Sequence, residues 1–86
     1  IEDFYGAGYF VEQLQTLFPS IDLSDSAKAA QIFHSSGRAI DILNLSRVGK
    51  LLNDRNWHEE VIFASNKDKY SVVPWLTNQG TIELMI

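Results

Sequence analysis

One stretch constrains this chain more than any other: Asn44-Leu45-Ser46-Arg47-Val48-Gly49-Lys50-Leu51-Leu52-Asn53-Asp54-Arg55-Asn56-Trp57. Leu45, Val48, Leu51 and Leu52 recur at helical spacing and define one apolar stripe. Ser46, Arg47, Lys50 and Asn53 fall off that stripe, on a face able to meet a phosphate backbone or base edges. Asn44 or Ser46 suits the N-cap, and Asn56 closes the helix. The next fifteen or so residues read as a charged hairpin. Glu60 to Ala64 alternates, with Val61 and Phe63 on one side and Ile62 on the other. Ser65-Asn66-Lys67-Asp68-Lys69 is a polar turn, and Tyr70 to Trp75 is a return strand rich in β-branched and aromatic residues. Pro74 limits that strand to an edge or an end, because proline cannot donate to a ladder. Asn78-Gln79-Gly80 marks another turn, and Thr81 to Ile86 a last short strand.

Upstream, residues 4–18 read as a first helix. Phe10, Leu14, Leu17 and Phe18 lie three or four apart on one face, with Glu12, Gln13 and Gln15 mostly off it. Pro19 stops the helix, since the residue before proline is pushed out of the helical region. Gly6-Ala7-Gly8 reads as a loose lead-in. Residues 20–26 are a polar connection with several candidate N-caps. A second helix runs from about Asp25 to Ser35, with Ala29, Ile32 and Phe33 on its apolar face. Ser36-Gly37 ends it, Gly37 suiting the left-handed C′ position. Residues 38–43 are compatible with a short strand, a helical turn, or the turn between two helices. Three helices followed by a small antiparallel sheet give an α+β chain with the layout of a winged helix-turn-helix, residues 1–86 forming one domain.

Eighty-six residues bury a single, modest core. A composition 45% hydrophobic and 12% aromatic argues against disorder. The absence of cysteine removes disulfides, thiolate ligands and cysteine nucleophiles together, and fits a reducing, cytoplasmic setting. No apolar run approaches the roughly 18 residues of a membrane span. The start Ile1-Glu2-Asp3 lacks the basic region of a signal peptide and lacks methionine, which suggests a piece of a larger protein. The net charge is −4, unevenly spread. Residues 1–37 carry −4, residues 38–69 carry +1 and residues 70–86 carry −1, so the cations concentrate in the third helix and the hairpin.

The Arg47, Lys50, Asn53 face has two readings. Either it enters a major groove, where Arg and Lys read guanine and Asn reads adenine, or it is the solvated side of an amphipathic helix. Lys67 and Lys69 at the turn either touch phosphates or keep a hairpin tip polar. Arg38 and Arg55 flank the helix and suit backbone phosphates, although Arg55 equally suits a carboxylate partner. His34 and His58 stand 24 positions apart with no second ligand pattern, so no metal site is expected. The serines lie in capping or turn contexts, with no nucleophile elbow. Gly6-Ala7-Gly8 lacks the preceding strand and third glycine of a dinucleotide fingerprint. No catalytic constellation emerges, and no cofactor is implied. Trp57 and Trp75 are expected as core anchors.

Residues 44–76 resemble the winged-helix module at the C-terminal end of phage and mobile-element replication proteins, including the virulence-associated E-like and primase-helicase families. The resemblance rests on Leu45 to Trp57, a short helix of arginine, apolar, glycine, basic and leucine positions ending in tryptophan. A hairpin ending in Tyr70 and Trp75 comes next. It covers about 40% of the chain. It implies a non-enzymatic DNA-binding module of a larger replication protein, with Arg47, Lys50 and Lys67 as its contacts and DNA or neighbouring domains as partners. The alternative is an acidic winged helix that binds protein or dimerises. Its surface would be Phe4, Tyr5, Tyr9 and the Leu84-Met85-Ile86 end.

Overall fold

The computed structural model describes residues 1–85; Ile86, and with it the end of the expected last strand, lies outside them. Within the described residues the order is α1 (Glu2–Leu17), α2 (Asp25–Ser35), α3 (Ala39–Leu45), α4 (Arg47–Asp54), α5 (His58–Ala64), β1 (Pro74–Leu76) and β2 (Ile82–Leu84). The α+β class therefore holds, with five helices in place of the expected three.

The pairing of α1 with α2 is the most extensive contact between elements. It depends on one residue with no side chain. A Cβ placed on Gly8 would lie 2.0 Å from the Ala30 carbonyl oxygen and 2.7 Å from His34 Cβ. Gly8 is thus a crossing point between helices, not a loose lead-in. Tyr5 and Ala30 are buried at the same contact. α2 starts at Ser24, whose hydroxyl accepts from the Ala27 amide at 3.2 Å and satisfies one of the helix's free donors.

The ambiguous segment 38–43 is helical, and α3 and α4 meet at a shared corner, Ser46. The Ser46 hydroxyl donates to the Leu43 carbonyl at 2.7 Å and accepts from the Gly49 amide at 3.0 Å, ending one helix and capping the next. A Cβ on Gly49 would lie 1.8 Å from the Leu43 oxygen, so the corner closes only around glycine. α4 ends as its sequence predicts. Asn56 takes the left-handed conformation at φ 61°. The Asn56 amide donates to Asn53 O at 3.0 Å, and the Trp57 amide to Leu52 O at 2.8 Å, the paired bonds of a Schellman stop.

The expected wing departs from this plan. Residues 60–64 are helical, as part of α5, and do not pair with 70–75. The alternation there spans five residues, too short to separate a strand from a buried helical turn. Glu59 and Glu60 fall in the first turn of α5, where negative charge suits the helix dipole, and Val61 alone of the three apolar residues is buried. The hairpin that does form lies further on. β1 and β2 are antiparallel, with Pro74 opposite Leu84, Trp75 opposite Glu83 and Leu76 opposite Ile82. Pro74 opens β1, at the strand end where proline is tolerated. Thr77 and Thr81 close the loop. The Thr77 amide donates to Thr81 O at 2.8 Å, and the two hydroxyls are 2.7 Å apart. Both strands are exposed along their length, and Trp57 and Trp75 are exposed too, so neither tryptophan anchors a core.

The buried apolar core of the described residues is Tyr5, Ala30, Ile42 and Val61. No helix of the described residues is long and apolar enough to cross a membrane.

Candidate functional site

Four segments distant in sequence converge on one open cleft of about 460 Å³, lined by Tyr5, His34, Gly37, Arg38, Asn66 and Lys67 among others. α1 contributes Tyr5, with Tyr9 and Glu12 one and two turns along the same helical side. α2 contributes His34 from its last turn. The α2–α3 link contributes Gly37 and Arg38, and the segment after α5 contributes Ser65, Asn66 and Lys67.

Lys67 is the hub. Its Nζ donates to the Tyr5 hydroxyl at 3.2 Å and lies 2.7 Å from His34 Nε2. It also stands 4.9 Å from the Tyr5 ring centroid and 5.1 Å from that of Tyr9, so two aromatic faces attract the ammonium. Tyr5 is held in turn, since its O–H donates to the Gly37 carbonyl at 2.9 Å. With Lys67 as donor, His34 Nε2 is the acceptor and Nδ1 carries the ring proton. That assignment rests on the partners of the ring. His34 Nδ1 lies 2.7 Å from Glu12 Oε2. This is a close approach without a directed hydrogen bond. The His34 side chain is almost covered, whereas Glu12 is half exposed.

Two further pairs frame the cleft. Tyr9 donates its phenolic proton to the Asp68 carboxylate, and this bond holds the Tyr9 pKa above its ordinary 10.0. Arg38 makes a two-pronged contact with Asp41, Nε to Oδ2 at 2.9 Å and Nη2 to Oδ1 at 3.2 Å. The hydrogen bond from Arg38 pulls the Asp41 carboxyl below its ordinary 3.8, and Asp41 raises Arg38 in return. Both members of that pair are exposed.

Of the eight residues expected to contact nucleic acid, Arg38 and Lys67 share this cleft. The other six lie elsewhere. Ser46 is buried and used on both sides as the α3–α4 corner. Asn53 donates to Asn44 Oδ1 at 2.9 Å, and its own oxygen sits 2.7 Å from His58 Nδ1. Arg55 leans over the Trp57 ring at 5.8 Å, and Lys69 over the Phe63 ring at 4.3 Å. Arg47 and Lys50 are exposed on α4. Glu12 and His34 escape a residue-by-residue reading of the sequence as site residues, and Tyr5 and Tyr9 stand out there only as aromatics of an exposed contact surface, whereas Tyr5 is buried. The signal for Tyr5, Tyr9 and Glu12 is their i, i+4, i+7 spacing, opposite the apolar stripe of α1. Nothing local links His34 to Lys67.

The cleft lining includes an ammonium, a guanidinium and an imidazole, groups whose chemistry suits a small anion and a proton transfer. Residues 1–79 match the family model of 2-phosphosulpholactate phosphatase. This chain belongs to the 2-phosphosulpholactate phosphatase family. Searches among curated proteins and among solved structures give no match. The family match overturns the resemblance to winged-helix replication modules, and with it the expectation of a non-enzymatic DNA-binding protein. That resemblance used a loose helix motif over part of the chain. The matched residues instead span α1 to α5 and β1, and they include the whole cleft.

Proposed function

We propose that this chain contributes to a phosphatase that hydrolyses a phosphate monoester of the 2-phosphosulpholactate type, releasing the free hydroxy acid and inorganic phosphate. One observation carries the reading: the family match over residues 1–79 encloses the whole Lys67–His34–Tyr5 cluster and its cleft. In this reading Lys67 holds the phosphoryl oxygens by charge-assisted hydrogen bonds, and Arg38 at the rim meets the anionic remainder of the substrate. His34 Nε2, freed as Lys67 turns to the phosphoryl group, takes a proton from the attacking water and passes it to the leaving alcohol, with Glu12 beside Nδ1. Water supplies the oxygen that replaces the alcohol on phosphorus. The absence of cysteine suits a cytoplasmic setting for this chemistry.

The test is phosphate release from 2-phosphosulpholactate by the purified protein, beside Lys67→Met and His34→Asn. The wild type releases phosphate, and each variant loses about 100-fold in kcat/KM, the scale for removing one positioned charge or proton carrier. Wild-type activity that survives both substitutions would move the chemistry away from this cleft. A folded wild type that releases no phosphate would remove the proposal.

A further inference from the structure

Lys67 and Asp68 are neighbours in sequence, and α1 holds each of them by a tyrosine. Tyr5 accepts from Lys67 Nζ at 3.2 Å, and Tyr9, one turn further along the same helical side, donates to the Asp68 carboxylate. Among the described residues, no backbone hydrogen bond joins residues 67–72 to another element. Side chains therefore set where this segment lies on α1. Asp68 turns the chain in the left-handed conformation at φ 52°, which residues with a side chain seldom adopt and aspartate tolerates better than most. Tyr9 is the firmer end of its pair. Its ring is half-buried and packs against that of His34, with centroids 5.4 Å apart.

We propose that Tyr9 and Asp68 are positioning residues, their bond being the tie that keeps the Lys67 ammonium at the cleft while Lys67 changes partners. The tie matters on the reading above, in which Lys67 holds the phosphoryl oxygens. In the structure Lys67 directs its ammonium to Tyr5 and His34. A bound phosphoryl group draws it off both, so the contacts that place Lys67 are given up in each turnover. The Tyr9–Asp68 bond involves neither the Lys67 side chain nor the His34 ring nitrogens, and it outlasts that exchange. Acceptance by a charged carboxylate makes it stronger than a bond between neutral groups. It also commits the carboxylate nearest Lys67 in sequence to a phenol. Among the described residues no carboxylate forms an ion pair with Lys67, which leaves its charge for an anion.

Three variants of the full chain separate the bond from the charge and the turn. Asp68→Asn removes the charge but keeps an oxygen for the Tyr9 proton and tolerates the left-handed turn. Asp68→Gly keeps the turn and loses both charge and bond. Tyr9→Phe loses the bond from the other side. The first readout is the NMR proton shift of the Lys67 Cε methylene in isotope-labelled protein, assigned by its loss in Lys67→Met. The ammonium lies over the Tyr5 and Tyr9 rings, whose ring currents move this signal upfield of those of the exposed Lys28 and Lys50. It stays upfield in Asp68→Asn. In Asp68→Gly and Tyr9→Phe it joins the exposed lysines, with the Lys28 and Lys50 signals unmoved. The second readout is phosphate release from 2-phosphosulpholactate. Asp68→Gly and Tyr9→Phe each lower kcat/KM about 10-fold, mostly through KM, the scale of one hydrogen bond to a charged group. The double variant loses no more than either, and Asp68→Asn stays near wild type. A Lys67 signal still upfield in Asp68→Gly, or undiminished activity there, overturns the proposal. So does an Asp68→Asn that loses as much as Asp68→Gly. A wild type that releases no phosphate fails the function proposed above instead, and the Lys67 signal then decides the tie alone.

Discussion

The α4 face and the cleft around Lys67 carry similar residue types, yet the fold uses them in opposite ways. On and beside α4, Arg47 and Lys50 are exposed and the other polar candidates are used within about a dozen residues of sequence. Ser46 serves a helix corner, Asn53 bonds Asn44 and His58, and Arg55 covers Trp57. In the cleft, Lys67 reaches Tyr5 and His34, which lie 62 and 33 residues away in sequence. A local motif of basic and amide residues is therefore weak grounds for a binding surface. The same residue types drawn together from distant segments, beside an open cavity, are stronger grounds.

The largest expected effect comes from the contact that brings the distant segments together. Gly8→Ala puts a methyl 2.0 Å from a backbone oxygen that cannot move without shifting α2. Overpacking of this kind costs about 3 kcal/mol, well above the ~1 kcal/mol that alanine adds to a helix interior. Gly6→Ala is the matched control. Nothing lies within 4 Å of its added Cβ, so it stabilises by about 0.5–1 kcal/mol. Urea unfolding of the two variants should move in opposite directions. A destabilisation of the same size at both positions would mean that α1 and α2 do not cross at Gly8.

The next effect separates the two cationic regions directly. Lys67→Met lowers phosphatase activity about 100-fold, whereas Lys50→Met, on the exposed side of α4, changes it less than about 2-fold. Steady-state kinetics of the pair decides the comparison. Equal losses would return α4 to consideration as part of the site.

Much of the helical plan is legible in the sequence, because its signals are local. Pro19 ends α1, Ser24 caps α2, and Asn56 closes α4 through its left-handed backbone. Segment 58–64 is not legible in the same way. A short apolar alternation carries no information on its partner, and the deciding factors are the acids at its first turn and the burial of Val61 alone. The α1 stripe has the periodicity of a core face, but the chain buries the opposite, polar side against α2. Periodicity marks a face that seeks cover and does not say what supplies it. The cleft is the least legible part. Arg38 and Lys67 stand out in sequence only as cations, and the convergence of Tyr5, His34 and Lys67 depends on a helix crossing set by a missing side chain.

A smaller effect probes the local region alone. Ser46→Ala removes the acceptor for the Gly49 amide and should cost about 1 kcal/mol by chemical denaturation, with phosphatase activity unchanged. An activity loss in a fully folded Ser46→Ala protein would show that the α3–α4 corner is coupled to the cleft.

The finest difference is a titration at the cleft's edge. The bond from Tyr9 to Asp68 favours the neutral phenol, so the folded pKa lies above the ordinary 10.0. Because the folded value is raised, the stabilisation is fully present below pH 10.0 and fades as pH rises through the folded value. Asp68→Asn removes the carboxylate acceptor and returns Tyr9 toward its ordinary range. The absorbance difference between wild type and Tyr9→Phe isolates this phenol from Tyr5 and Tyr70. A midpoint that stays raised in Asp68→Asn would assign the shift to desolvation of the phenol and the nearby Glu12 charge, not to its bond with the carboxylate.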